Sequence, residues 1–129
     1  MPDVNRGDRP LSPFMIGPYY RPQLTSMTSI LTRITGNALV VGGLMITWWF
    51  VAAAAGPDAF ATADAVLTSW FGKLVFLGSI WALWYHTLAG IRHLVWDQGI
   101  GLDIETAEKL GWGCIGGSVV LTLLTLLIV

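Results

Sequence analysis

Charge is what this chain has least of. Only 12% of its 129 residues are Asp, Glu, Lys or Arg, about half the share usual in a soluble domain. The seven basic and eight acidic residues nearly cancel, and no basic run occurs, which removes any case for nucleic-acid binding. Cys114 is the single cysteine, so the chain has no internal disulfide and no thiolate-based metal cluster of its own. It lies in an apolar run and reads as a small packing residue. Histidine is almost as scarce, with only His86 and His93.

What the chain does have is apolar length. Gly36 to Ala55 is twenty residues without a charge (GNALVVGGLMITWWFVAAAA) and Leu110 to Val129 is twenty more; Leu74 to Ile91 is a third uncharged stretch. A helix of about twenty residues spans about 30 Å, the thickness of a bilayer core. The expected architecture is therefore an all-α membrane protein with three transmembrane helices, over about 29–55, 70–96 and 110–129. Such a chain has no room for a soluble catalytic domain, and its chemistry is expected within or beside the bilayer.

Residues 1–24 are expected to form an extended, proline-rich segment against the membrane face, with Pro2, Pro10, Pro13, Pro18 and Pro22 breaking any helix. No apolar core follows the first charges as in a signal peptide, and Asp3 and Asp8 argue against a transit peptide. Gly56 and Pro57 should stop the first span, 59–69 should form a short interfacial helix, and Asp103, Glu105, Glu108 and Lys109 should mark a solvated loop. Arg6, Arg9, Arg21 and Arg33 flank the first span, and Arg92 and Lys109 lie by the second loop. The first loop has only Lys73. The positive-inside rule then puts the N-terminus and second loop in the cytoplasm and the C-terminus across the membrane.

Both histidines fall on the second span. Seven residues apart, they point the same way but stand about 10 Å apart along the axis, too far to ligate one haem from its two faces. His86 is eleven residues before Asp97, about 16 Å deep and near the midplane. An imidazole there is a functional site by default, and Ser79, Ala82, Ala89 and Gly90 keep its face open to a close neighbour. Three roles stand side by side: a hydrogen bond gluing helices together, a proton relay, or an axial haem ligand. His93 is about 6 Å from the end of the span, beside Arg92, and reads as an interfacial histidine or a partner for a haem propionate. Ser29 and Arg33, four apart, share one face at the start of the first span. Together they suit a quinone carbonyl and the charge that its reduction develops. Separately, they read as a snorkelling anchor and a helix cap.

The runs RPLSP (Arg9 to Pro13), YRPQLTSMTSILTRITG (Tyr20 to Gly36) and YHTLAGIRHLVWD (Tyr85 to Asp97) occur in this order. The chain thereby resembles the cytochrome b subunits of succinate dehydrogenase, the larger membrane anchors of respiratory complex II, most nearly the alphaproteobacterial ones. The resemblance implies haem b and ubiquinone as cofactor and substrate. It implies a flavoprotein, an iron–sulphur subunit and a small anchor subunit as partners, the last completing the helical bundle and supplying a second haem ligand. It matches His86 to the axial ligand of the haem iron, Ser29 and Arg33 to the ubiquinone site, and Arg92 and His93 to a pair near the propionates. Thr32 and Phe14 stand where many members of that family carry histidines, so no role for a histidine at those positions carries over. The rival readings are a stand-alone membrane b-type cytochrome and a non-redox anchor.

Overall fold

The computed structural model describes Ser12–Val129 and is all-helical apart from one isolated bridge. Its helices are α1 (Leu24–Ala55), α2 (Pro57–Leu67), α3 (Trp70–Asp97) and α4 (Ile104–Ile128). Among the described residues, α1, α3 and α4 are the three helices long and apolar enough to cross a membrane. They form the spanning bundle, and α2 lies at the end where α1 passes into α3.

Each boundary has a local cause. The Ser26 hydroxyl accepts from the Gln23 N–H at 3.1 Å and donates to the Gln23 carbonyl at 2.8 Å, closing the start of α1. Gly56 ends α1 at φ 131°, and Pro57 opens α2 at a position where its missing N–H costs nothing. Ser69 caps α3 by accepting from the Gly72 N–H, and a Cβ at Gly72 would run into the Leu67 carbonyl. Only glycine lets α2 and α3 meet so closely.

Two expectations need correction. The acidic stretch 103–109 is the opening of α4, which begins six residues before the apolar run. Asp103 caps it by accepting from the Thr106 N–H at 2.9 Å, and Lys109 pairs with Glu105 one turn away at 2.6 Å. Those Thr106 hydrogen bonds hold the Asp103 carboxyl below the usual carboxylate range. Residues 13–20 are turned rather than extended, while 21–23 run without turn or helix into α1. The turned part holds a 3₁₀ turn at Pro13–Met15 and a tight reversal through Gly17, at φ 102°, whose N–H donates to the Tyr20 carbonyl at 2.7 Å. Asp3, Asp8 and the first prolines lie outside the described residues.

The interior is built of small and hydroxyl-bearing residues. Thr28, Thr35, Ala82, Ala89, Cys114 and Ser118 are buried, while Val40, Leu44, Leu94, Trp112, Leu123 and Leu127 are exposed. Bulky apolar residues outside and small ones inside is the pattern of helices that meet backbone to backbone in lipid. The buried hydroxyls bond back onto their own helices, Thr35 to Leu31 and Ser118 to Ile115, both at 2.8 Å. Side-chain bonds also tie one helix to another: the Tyr85 hydroxyl donates to the Thr28 carbonyl at 3.0 Å, and the Trp84 indole to the Thr125 hydroxyl at 2.9 Å.

Candidate functional site

The site grows from the seam between α1 and α3. A Cβ on Gly42 would lie 2.7 Å from the Ser79 hydroxyl, so these antiparallel helices are in close contact there. Two turns further along the seam, His86 reaches α1. Its Nδ1 lies 3.1 Å from the Thr32 carbonyl and 3.3 Å from the Thr35 hydroxyl. A Cβ on Gly36 would stand 3.2 Å from its Cε1. The ring is thus seated in a notch made by Thr32, Thr35 and Gly36.

The notch selects the tautomer. A carbonyl only accepts, and the Thr35 hydroxyl already donates to Leu31 at 2.8 Å, so both neighbours of Nδ1 act as acceptors. Nδ1 therefore carries the hydrogen, and in the neutral ring Nε2 is left with its lone pair. No partner engages Nε2 among the described residues. This is the arrangement of a metal-ligating histidine, in which a backbone acceptor fixes the tautomer and orients the ring. Gly90, one turn from His86, has nothing within 4 Å of the place its Cβ would take. The face of α3 one turn beyond the ring is therefore open.

Ser29 and Arg33 meet as their spacing predicts, with an Arg33 Nη1 hydrogen donated to the Ser29 hydroxyl at 2.8 Å. Ser29 is seven residues before Gly36 and shares its face of α1. The pair therefore opens on the side of the seam where His86 is seated, nearer the start of α1. Arg33 is exposed, so its charge is available to a ligand or a neighbouring chain.

Arg92 and His93 are separated. Six residues from His86 place Arg92 about 120° round α3 from it, and its side chain is 4% exposed on the side of α4. His93 is exposed on the His86 side. Both touch Trp96, the guanidinium over the ring at 4.6 Å and the imidazole edge-on at 5.2 Å. Among the described residues, no group of three or more His, Cys, Asp or Glu is placed to hold a bare metal ion.

The residues that sequence reading missed are the walls of the notch. Thr32 serves through its carbonyl, which no side-chain pattern reports. Thr35 and Gly36 carry a weak signal, a hydroxyl and a glycine side by side on the helix that faces a midplane histidine.

Residues 5–125 match the model of the succinate dehydrogenase/fumarate reductase transmembrane subunit. The chain belongs to that family. It is 58% identical, over 99% of its length and 97% of the relative's, to the succinate dehydrogenase cytochrome b556 subunit of Paracoccus denitrificans. It is 35% identical, over 90% of its length and 89% of the relative's, to the subunit of the same name in Rickettsia conorii. A more distant relative is the cytochrome b560 subunit of Reclinomonas americana, 32% identical over 94% of this chain and 86% of its own. The chain is thus a multi-pass membrane subunit of a succinate dehydrogenase, the anchor part of an oxidoreductase complex.

Proposed function

We propose that this subunit holds one side of a haem b and one side of a ubiquinone, and so passes electrons from an iron–sulphur subunit to the quinone. The observation that carries the reading is the notch around His86. It fixes the protonated nitrogen against α1 and turns a free Nε2 lone pair away from it. When bound, the haem supplies one-electron redox chemistry. The chain supplies an axial ligand, its orientation through Thr32 and Thr35, and a face of α3 that Gly90 leaves open. One chain offers one such histidine, so the second ligand comes from the small anchor subunit. A flavoprotein and the iron–sulphur subunit complete the complex.

Ser29 and Arg33 are assigned to the quinone. A fixed cation and a hydroxyl beside it favour the negative charge that grows on a quinone oxygen during reduction. Arg33 and His93 are also the groups on the His86 side that suit the haem propionates. Arg92, which the family resemblance puts with His93, has its guanidinium on the α4 side of α3 and is left out of this assignment.

The membrane is the bacterial inner membrane. The segment 1–24, the start of α1 and the α3–α4 turn face the cytoplasm, and the C-terminus faces the periplasm. The test is the absorption spectrum of the purified complex. His86→Ala and His86→Leu should lose the low-spin bis-histidine haem signal or most of the bound haem. An unchanged spectrum and haem content in both would return His86 to the role of helix glue and the subunit to a non-redox anchor.

A further inference from the structure

Arg92 is a cation that the fold turns inward and leaves unanswered. Its side chain is 4% exposed, yet its Nε is buried without a hydrogen-bond partner among the described residues. The Trp96 ring beneath it stabilises a cation but accepts no ordinary N–H bond. The nearby Tyr85 hydroxyl donates to the Thr28 carbonyl, and Lys109 across the seam is paired with Glu105 at 2.6 Å. No carboxylate among the described residues is paired with Arg92. A buried, unpaired guanidinium is costly, and an anion that enters beside it is held strongly.

The space for such an anion is present. Arg92 lines a cavity of about 220 Å³ between α3 and α4, together with Leu88, Ile91, Lys109, Leu110 and Gly113. A Cβ on Gly113 would meet nothing within 4 Å, and Ile91 beside it is 52% exposed, so the cavity continues into an apolar groove on the outer face. Arg92 stands five residues before the end of α3, about 7 Å from it, which is headgroup depth.

We propose that the α3–α4 groove holds an anionic phospholipid, with its phosphate on Arg92 and Lys109 and an acyl chain along Leu88, Ile91 and Gly113. The guanidinium fork matches two phosphate oxygens, and the apolar lining matches a chain rather than a second charged group. The site lies round α3 from His86 and is independent of the haem.

The test uses the detergent-solubilised complex, stripped of lipid and titrated with phosphatidylglycerol or phosphatidylcholine, with bound lipid read by native mass spectrometry. Phosphatidylglycerol should rebind in preference to phosphatidylcholine. Arg92→Gln should weaken that binding about tenfold or more, and Arg92→Lys should keep most of it. Gly113→Leu, which fills the groove and leaves both cations, should lose it as well. The haem band should stay unchanged throughout. Wild-type lipid binding in either Arg92→Gln or Gly113→Leu overturns the proposal, and if one variant fails to assemble the other still decides. Arg92 modification by phenylglyoxal, read by peptide mapping, separates other occupants. Equal protection by inorganic phosphate would make this a small-anion pocket, and an Arg92 that stays unreactive after delipidation would belong to a partner chain's carboxylate. A shifted haem potential in Arg92→Gln with lipid retained would give Arg92 to the haem.

Discussion

At the scale of single residues, what decides the site is which nitrogen of His86 carries the proton. The Thr32 carbonyl is an acceptor that no substitution removes, so the tautomer is built into the backbone of α1. The side of the notch that can be altered is Gly36. Its Cβ would come within 3.2 Å of the ring, closer than ordinary van der Waals contact. Gly36→Ala should therefore tilt the ring and shift the haem potential while haem is retained, and Gly36→Val should lose haem with the complex still assembled. Haem content and redox titration check both, and a normal haem potential in the valine variant would mean that the ring is not held there. His93→Ala should keep the haem, because an exposed imidazole two turns away is no substitute ligand. Haem loss in that variant, with His86 variants normal, would exchange the two roles.

At the scale of elements, the antiparallel seam of α1 and α3 brings His86 and the Ser29–Arg33 pair onto one side. Losing a hydrogen bond to a charged group costs about 1.5–3 kcal/mol, roughly a ten- to hundredfold loss in rate when it acts in the transition state. Ser29→Ala and Arg33→Leu should cut succinate:quinone activity by that order. Succinate oxidation by an artificial acceptor in the soluble subunits should survive, because the proposed function gives this chain no part in binding the dicarboxylate. A parallel fall in both activities would make Arg33 an assembly residue. Gly42→Leu, by contrast, should loosen the whole seam, since its Cβ position is 2.7 Å from the Ser79 hydroxyl. Overpacking of this kind costs about 1–3 kcal/mol, and a lower thermal midpoint of the complex is the measurement. The seam also shows where sequence reading stops. The Ser29–Arg33 pairing was legible because four residues on one helix always meet, whereas the His86 notch depends on the register between two helices. Arg92 shows the same limit at a single residue. It is adjacent to His93 in sequence, but one residue of helix turns a side chain by about 100°, so it faces α4.

At the scale of the whole molecule, the three spans were legible because a bilayer demands long uncharged runs, and each such run became a helix. The start of α4 was not, because charges that are solvated outside a membrane look the same in a loop and in the first turns of a capped helix. Asp103 and the Glu105–Lys109 pair make it a helix. Orientation across the membrane follows from arginine and lysine placement: four basic residues before or within the start of α1, two near the α3–α4 turn, and Lys73 alone at the other end. Positive-inside then predicts that Glu105 is cytoplasmic and that Asp58, at the start of α2, is periplasmic. The single cysteine makes this directly measurable. Cys114 is buried, and Cys114→Ala gives a background without thiols in this chain. In that background, Glu105→Cys should react with an impermeant thiol reagent only in inverted vesicles, and Asp58→Cys only in intact cells with a permeable outer membrane. The reverse pattern would place Ser29 and Arg33 at the periplasmic edge. An iron–sulphur subunit on the cytoplasmic side would then be a full membrane thickness away, and the quinone assignment would fall with the topology.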